Sequence, residues 1–378
     1  MPEPTLVVVF LRGGADGLNI ISPTGDADYA AARPERLRVL RHGDEPGLEM
    51  PGAAADVDFR FHPQAAGFSE LYNAGELAVV HAAGLTDGTR SHFDAEDRME
   101  RASKNTGTGG WLGRCLKALQ PEGILPVLSV GGSAPESVRG SKDVAVASEL
   151  EQLIIAGGGD LAPLLNKKLR EGFGTHPLLA APVDRLITLS EVLSKRLTNS
   201  ETGEFEVYSP SVEYPESYLS GEFRTVAQAI KLDLGMRIAT VDFGGWDTHE
   251  DQPAEFSTNL NTLSNSLLAF WRDLGDARDR VTVVVMSEFG RRLRANKTGG
   301  TDHGFGNAMM VLGGEVKGGQ MFGEWPGLSN DALDDGADLA ITTDYRHVLA
   351  EVLSHRMPGF DPAIAFPDFV PEGRGIFG

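Results

Sequence analysis

The stretch "TLVVVFLRGGADGLN", Thr5 to Asn19, decides the reading of the fold. An apolar, β-branched run continues without alternation and stops at a glycine-rich turn. A strand buried on both faces needs such a run, because a half-exposed strand alternates apolar with polar residues. The signature returns in "GELAVVHAAG" (Gly75 to Gly84), "PVLSVGG" (Pro126 to Gly132), "MRIATVDFGG" (Met236 to Gly245), "RVTVVVMSEFG" (Arg280 to Gly290) and "NAMMVLGG" (Asn307 to Gly314). Helical patterns lie between them, such as "AAGFSELYNAG", "PVDRLITLSEVLSKRL", "YLSGEFRTVAQAIKLDLG" and "FSTNLNTLSNSLLAFWRDLGD". Strands alternating with helices imply an α/β fold: a doubly wound, mostly parallel sheet with helices on both faces. Residues 1–378 read as one such domain. The middle, about residues 134–220, carries helical patterns and few strand signals and reads as a helical insertion or cap. Thr198 to Ser217 reads as a surface loop.

The chain has 378 residues, 41% of them hydrophobic, enough to bury a sizeable core. Its formal net charge of -20 repels nucleic acid and anionic membranes, so neither is expected as a partner. An anionic substrate would need a local positive site: a metal, an arginine cluster or a helix N-terminus. The single cysteine, Cys115, excludes intramolecular disulfides and cysteine-based metal clusters, and "WLGRCLKAL" reads as an amphipathic helix that buries it. No apolar run approaches membrane-spanning length. As given, the chain reads as soluble and cytoplasmic, or periplasmic or secreted if an export signal has been removed.

In an open α/β sheet, ligands bind beyond the carboxyl ends of the strands. Acids, histidines and arginines gather at five such places: Arg12, Asp16 and Asn19; Thr86 to His92; Asp247 and His249; Ser287 to Arg292; and Asp302 with His303. Asp247, His249 and His303 offer one carboxylate and two imidazoles, a set suited to zinc or, more loosely, manganese. Ser91 opens a helix after a strand, where the helix's positive end favours either a plain N-cap or an alkoxide nucleophile. Asp16 reads equally as a turn former, Glu288 as a partner of Arg291 or Arg292, and His92 as a capping or packing residue. His62 and His81 read as packed histidines, His347 and His355 as structural or exposed ones. The chain has no P-loop, no dinucleotide glycine pattern after its first strand and no GxSxG elbow. It therefore reads as neither an NTPase, a nicotinamide dehydrogenase nor an α/β-hydrolase.

The segments "VVVFLRGGADGLN", "SHFDAEDRME", "GGWDTHEDQ", "MSEFGRR" and "GTDHGFGNAMMVLGG" together resemble the bacterial family called domain of unknown function 1501. The likeness extends through "FHP", "AVVHAAGL" and "TTDYRHVLAEVL", nearly the whole chain. That family looks like a distant branch of the alkaline phosphatase and sulfatase superfamily, whose members are doubly wound α/β enzymes. They bind one or two divalent metals and use a serine, threonine or formylglycine nucleophile on phosphate or sulfate esters. By this resemblance Asp247, His249 and His303 match the ligands of one metal. Glu288 replaces an aspartate of the second, and Ser91 matches the nucleophile. Phe289 stands where the second metal's histidine is expected, and Asp16 is displaced from the first motif.

The resemblance implies a metal-dependent hydrolase or transferase acting on a small anionic phosphate or sulfate ester. Zinc is the first expectation for the metal, with manganese, calcium or magnesium as alternatives. Ser91 would attack, Arg12, Arg90 or Arg291 would clamp ester oxygens, and Glu288 and Asp16 would hold a second ion or orient the first set of ligands. Asp302 would support a liganding histidine. The alternatives are a binding or scaffold protein that keeps the fold without turnover, or a metal-assisted isomerase or phosphotransferase.

Overall fold

The computed structural model describes residues 3–54, 56–155, 159–199 and 201–378. Its central sheet is built on β1 (Thr5–Leu11), β2 (Leu77–Gly84), β3 (Val127–Val130), β4 (Val144–Ala147), β5 (Ile238–Phe243) and β6 (Val281–Ser287). A separate antiparallel pair, β7 (Arg291–Ala295) and β8 (Thr301–His303), leads into β9 (Asn307–Gly313), which rejoins the sheet. Two short strands, β10 (Met321–Phe322) and β11 (Thr343–Asp344), pair along one edge of β2. The sheet order is β10-β2-β9-β6-β1-β5-β3-β4, and β1 runs parallel to both its neighbours.

The unbroken apolar run of β1 follows from this central position. Val7, Val9 and Leu11 enter one core, and Leu6, Val8 and Phe10 enter another on the opposite face. The first face is covered by α1 (Ala66–Asn73), which contributes Phe68 and Leu71. Helices α6 (Tyr218–Lys231) and α7 (Gln252–Asp273) cover the same face with Phe223, Leu263 and Phe270. The second face is covered by α2 (His92–Arg101), α3 (Trp111–Leu119) and α8 (Tyr345–Arg356), through Met99, Trp111 and Leu349. Cys115 is fully buried in α3, as its helical pattern implies. The expected doubly wound architecture is therefore present. No helix of the described residues is long and apolar enough to cross a membrane.

Two features differ from the sequence reading. Strand β9 is antiparallel to both β2 and β6. The loop that enters β9 consequently lies at the same sheet edge as the loops that leave β1, β2, β5 and β6, so the fifth polar cluster precedes its strand. The stretch 134–220 carries α4 (Ala162–Phe173) and α5 (Ala180–Leu197), but it also supplies β4, which extends the central sheet beyond β3. Residues 156–158 and 200 of that stretch lie outside the described residues. Residues 201–217 form no helix, and Tyr208 and Tyr214 donate hydrogen bonds to the buried Asp273 at the end of α7 (2.6 and 3.0 Å).

Candidate metal centre

Register sets the level of the site. Leu11 pairs with Phe243 and with Ser287, so the loops after β1, β5 and β6 start side by side. Gly13 has φ +119°, and a Cβ there would lie 2.5 Å from Asp247 N. Only glycine lets the two loops approach this closely. Gly300 plays the same part for the loop before β9, because a Cβ there would meet Thr248 O at 2.3 Å. The glycines of "GGTDHGFG" thus bring His303 against the loop carrying Asp247 and His249.

The Asp247 Oδ1 atom lies 3.0 Å from His249 Nε2 and 3.0 Å from His303 Nε2. The two imidazole Nε2 atoms are 2.8 Å apart. A third imidazole joins them: His92, on the first turn of α2, places Nε2 3.4 Å from Asp247 Oδ2. Each ring's other nitrogen is occupied on the far side. His303 Nδ1 is 2.8 Å from Arg90 O, which only accepts, so Nδ1 carries the proton. His249 Nδ1 donates to Asp302 Oδ1 at 3.3 Å, and His92 Nδ1 donates to Glu288 Oε1 at 2.8 Å. In neutral rings the Nε2 lone pairs of His249 and His303 lie beside one oxygen of Asp247, and that of His92 lies beside the other. Such an array is repulsive by itself and complementary to a cation. His92, Asp247 and His303 form one group of donor atoms with metal-binding spacing, and His92, Glu96 and Glu288 form a second. The donor chemistry of the first group, imidazole nitrogens with one carboxylate, fits a divalent transition metal.

The electrostatics agree for Asp247 and His303, whereas His92 without a cation is held toward its protonated form. Burial disfavours the Asp247 carboxylate, but the hydrogen bond and the charge of Arg291 act against it, and its pKa is pulled down to about 2. Burial lowers the pKa of His303, which favours its neutral form. The hydrogen bond to Glu288 raises that of His92 against an opposing burial effect. The cluster is open on one side, with the Asp247 side chain 49% exposed. A cavity of 640 Å³ lies elsewhere, along α6 and residues 205–208, and no residue of the cluster lines it.

The other candidates fall into distinct places. Ser91 is exposed at the start of α2, and its hydroxyl makes no capping bond, so the expected cap interaction is not formed. Asp16 is wholly buried in a two-point ion pair with Arg33 (2.7 and 2.9 Å) and also accepts from Gln252. Among the described residues it joins neither donor group. Arg291, with no exposed side-chain surface, donates to the carbonyls of Gly13, Gly14, Trp246 and Thr301 and to Asp247. It is a clamp that ties three other segments to its own strand rather than a hand free for substrate. Arg12 is held by Glu96, Glu100 and Asp242. Glu288 is fully buried, accepting from His92, Gly13 N and Ser287 Oγ, so it stands behind His92. Phe289 packs its ring 4.8 Å from the ring centres of both His92 and His303. His92 is the site residue that a capping or packing reading overlooks. Its spacing from Glu96, one helical turn along the same face, is the local signal that could have marked it.

Residues 198–353 match the family described as "Protein of unknown function (DUF1501)". The matched stretch contains Asp247, His249, Glu288, Arg291 and His303; Arg12, Asp16, Ser91 and His92 precede it. No curated protein matches the chain in sequence. Among solved structures, the chain is similar to Ps i-CgsB in complex with k-i-k-neocarrahexaose, at 11% identity and a TM-score of 0.42, covering 99% of this chain and 75% of that one. It is similar to the C-terminal periplasmic domain of EcEptC from Escherichia coli, at 9% identity and a TM-score of 0.42, covering 100% and 90%. Alkaline phosphatase from the Antarctic bacterium TAB5 matches at 8% identity and a TM-score of 0.32, covering 83% and 92%.

Proposed function

We propose that the chain is a metal-dependent hydrolase or transferase acting on a phosphate or sulfate ester. The observation that carries the metal reading is the convergence of Nε2 atoms on Asp247, each ring's Nδ1 being committed elsewhere. Asp247, His249 and His303 would hold a divalent metal, and their imidazole-rich donor set favours zinc or manganese over the oxygen-seeking calcium and magnesium. When bound, it supplies Lewis acidity toward an ester oxygen. The ester class rests on the resemblance drawn from the sequence motifs.

The chain's own residues supply the rest. Ser91, with its hydroxyl free and at the positive end of α2, is the candidate nucleophile. Asp302 fixes His249, and the Arg90 carbonyl fixes His303. Arg291 keeps Asp247 ionised and in place.

Elemental analysis of protein purified without added metal or chelator tests this. Wild type is expected to retain a divalent metal in stoichiometric amount and His303→Ala to lose it. A folded wild type that neither carries nor takes up metal would overturn the reading. Aryl phosphates and aryl sulfates, assayed with each candidate metal, then test turnover. Activity abolished by Ser91→Ala supports a covalent route, and activity that survives it removes Ser91 as nucleophile. A metal-loaded protein inert to the whole panel favours the scaffold reading.

A further inference from the structure

We infer that His92 is a fourth protein ligand of the proposed metal and that Glu288 is the residue that positions it, an inference that rests on the metal centre proposed above. His92 Nε2 is buried and has no hydrogen-bond partner, although buried ring nitrogens ordinarily find one. It lies 3.4 Å from Asp247 Oδ2, and its ring centre is 4.3 Å from that of His303. Nothing about α2 requires an imidazole at its first position, which is solvent-facing at Ser91 and at Phe93, 86% exposed. His92 alone turns inward.

What turns it is the end of β6. The Glu288 carboxylate takes the Nδ1 proton of His92 at 2.8 Å and is itself fixed by Gly13 N and Ser287 Oγ. Phe289, the next residue, packs on His92 and His303 together. A carboxylate behind an imidazole fixes its tautomer, aims Nε2 at the metal and raises its basicity. His92 therefore has the same construction as the other two rings: an acceptor behind Nδ1 and Nε2 turned toward Asp247 in front. The centre becomes three imidazoles and one carboxylate. A fourth protein ligand completes a tetrahedral zinc shell and leaves no place for substrate. A centre of this composition that still admits substrate thus calls for a metal that accepts five or six ligands, such as manganese.

Metal affinity and ligand count test the inference without recourse to activity. Apo protein prepared with chelator is titrated calorimetrically with manganese and with zinc, for wild type, His92→Gln and Glu288→Gln, with circular dichroism to confirm folding. Glu288→Gln is expected to weaken binding by roughly 10–100-fold, the cost of losing a carboxylate behind a ligand. His92→Gln is expected to weaken it further. Because either variant could fail to fold, wild type itself provides the second measurement: X-ray absorption of the metal-loaded protein should count three imidazoles. Two imidazoles, or a folded His92→Gln with unchanged affinity, would overturn the role of His92 while leaving the metal centre intact. A wild type that binds neither ion overturns the centre and this inference together.

Discussion

At the scale of single residues, the same residue types serve two ends, and burial separates them. Asp247 is half-exposed and faces imidazoles, whereas Asp16 has no exposed surface and faces the equally buried Arg33. Asp16→Ala would strand the Arg33 charge in the core, a loss of about 3–5 kcal/mol. Chemical denaturation should show that loss, and the protein that remains folded should keep the metal affinity of wild type. A loss of metal as complete as that of His303→Ala would instead make Asp16 part of the centre. The pairing of Asp247 with His249 was legible because both lie on one short loop. His92 was not, because its direction is set by a carboxylate 196 residues away. Arg291 was legible as a member of the polar cluster but not as a clamp. Its donors are claimed by four carbonyls from three separate segments, and no local pattern encodes that.

Among the elements, β2 carries a group that ties strand packing to pH. His81 is buried between Ile21 O, which accepts from Nε2 at 3.2 Å, and Ala82 N, which donates to Nδ1 at 2.9 Å. Phe59 and Trp325 close around the ring. Burial pushes its pKa down to about 4, so above pH 6.5 the ring is neutral both folded and unfolded and stability is at its full value. As pH falls from 6.5 to 4 the unfolded chain takes a proton that the folded chain refuses. Stability drops by about 1.4 kcal/mol per pH unit, roughly 3 kcal/mol in all. His62, also lowered to about 4 by burial, acts in the same direction. Urea midpoints between pH 7 and pH 4 should fall less steeply in His81→Gln than in wild type, and identical slopes would refute the assignment. The element reading itself held where a run was long and apolar, as in β1, β2, β5 and β6. It missed β4, whose "VAVA" is short, half-exposed and set among polar residues at the sheet edge. It also gave no direction for β9, because side-chain alternation is the same in parallel and antiparallel strands.

For the whole molecule, the layout of the sheet was legible because alternating strands and helices leave few ways to close a parallel sheet. The convergence of loops from β1, β2, β5 and β6 at one edge follows from that layout, and the antiparallel β9 adds His303 to it. Charge is the other property of the whole chain, with 54 acidic residues against 34 basic ones. Many exposed carboxylates have arginine partners, as in Arg272–Glu70 and Arg170–Asp184. Exposed pairs of this kind contribute about 0–1 kcal/mol each, and salt weakens them. The unbalanced charge acts oppositely: self-repulsion favours the expanded chain, and salt relieves it. Raising sodium chloride from about 10 mM to about 1 M shortens the screening length from about 30 to about 3 Å. With a net charge of -20 the repulsive part should dominate, so the thermal midpoint should rise with salt. Each 1 kcal/mol gained would move the midpoint of a chain this size by roughly 1 °C. Calorimetric scans of metal-free protein across that salt range measure the balance directly. A falling midpoint would mean that the ion pairs, rather than the excess of carboxylates, govern the stability of the fold.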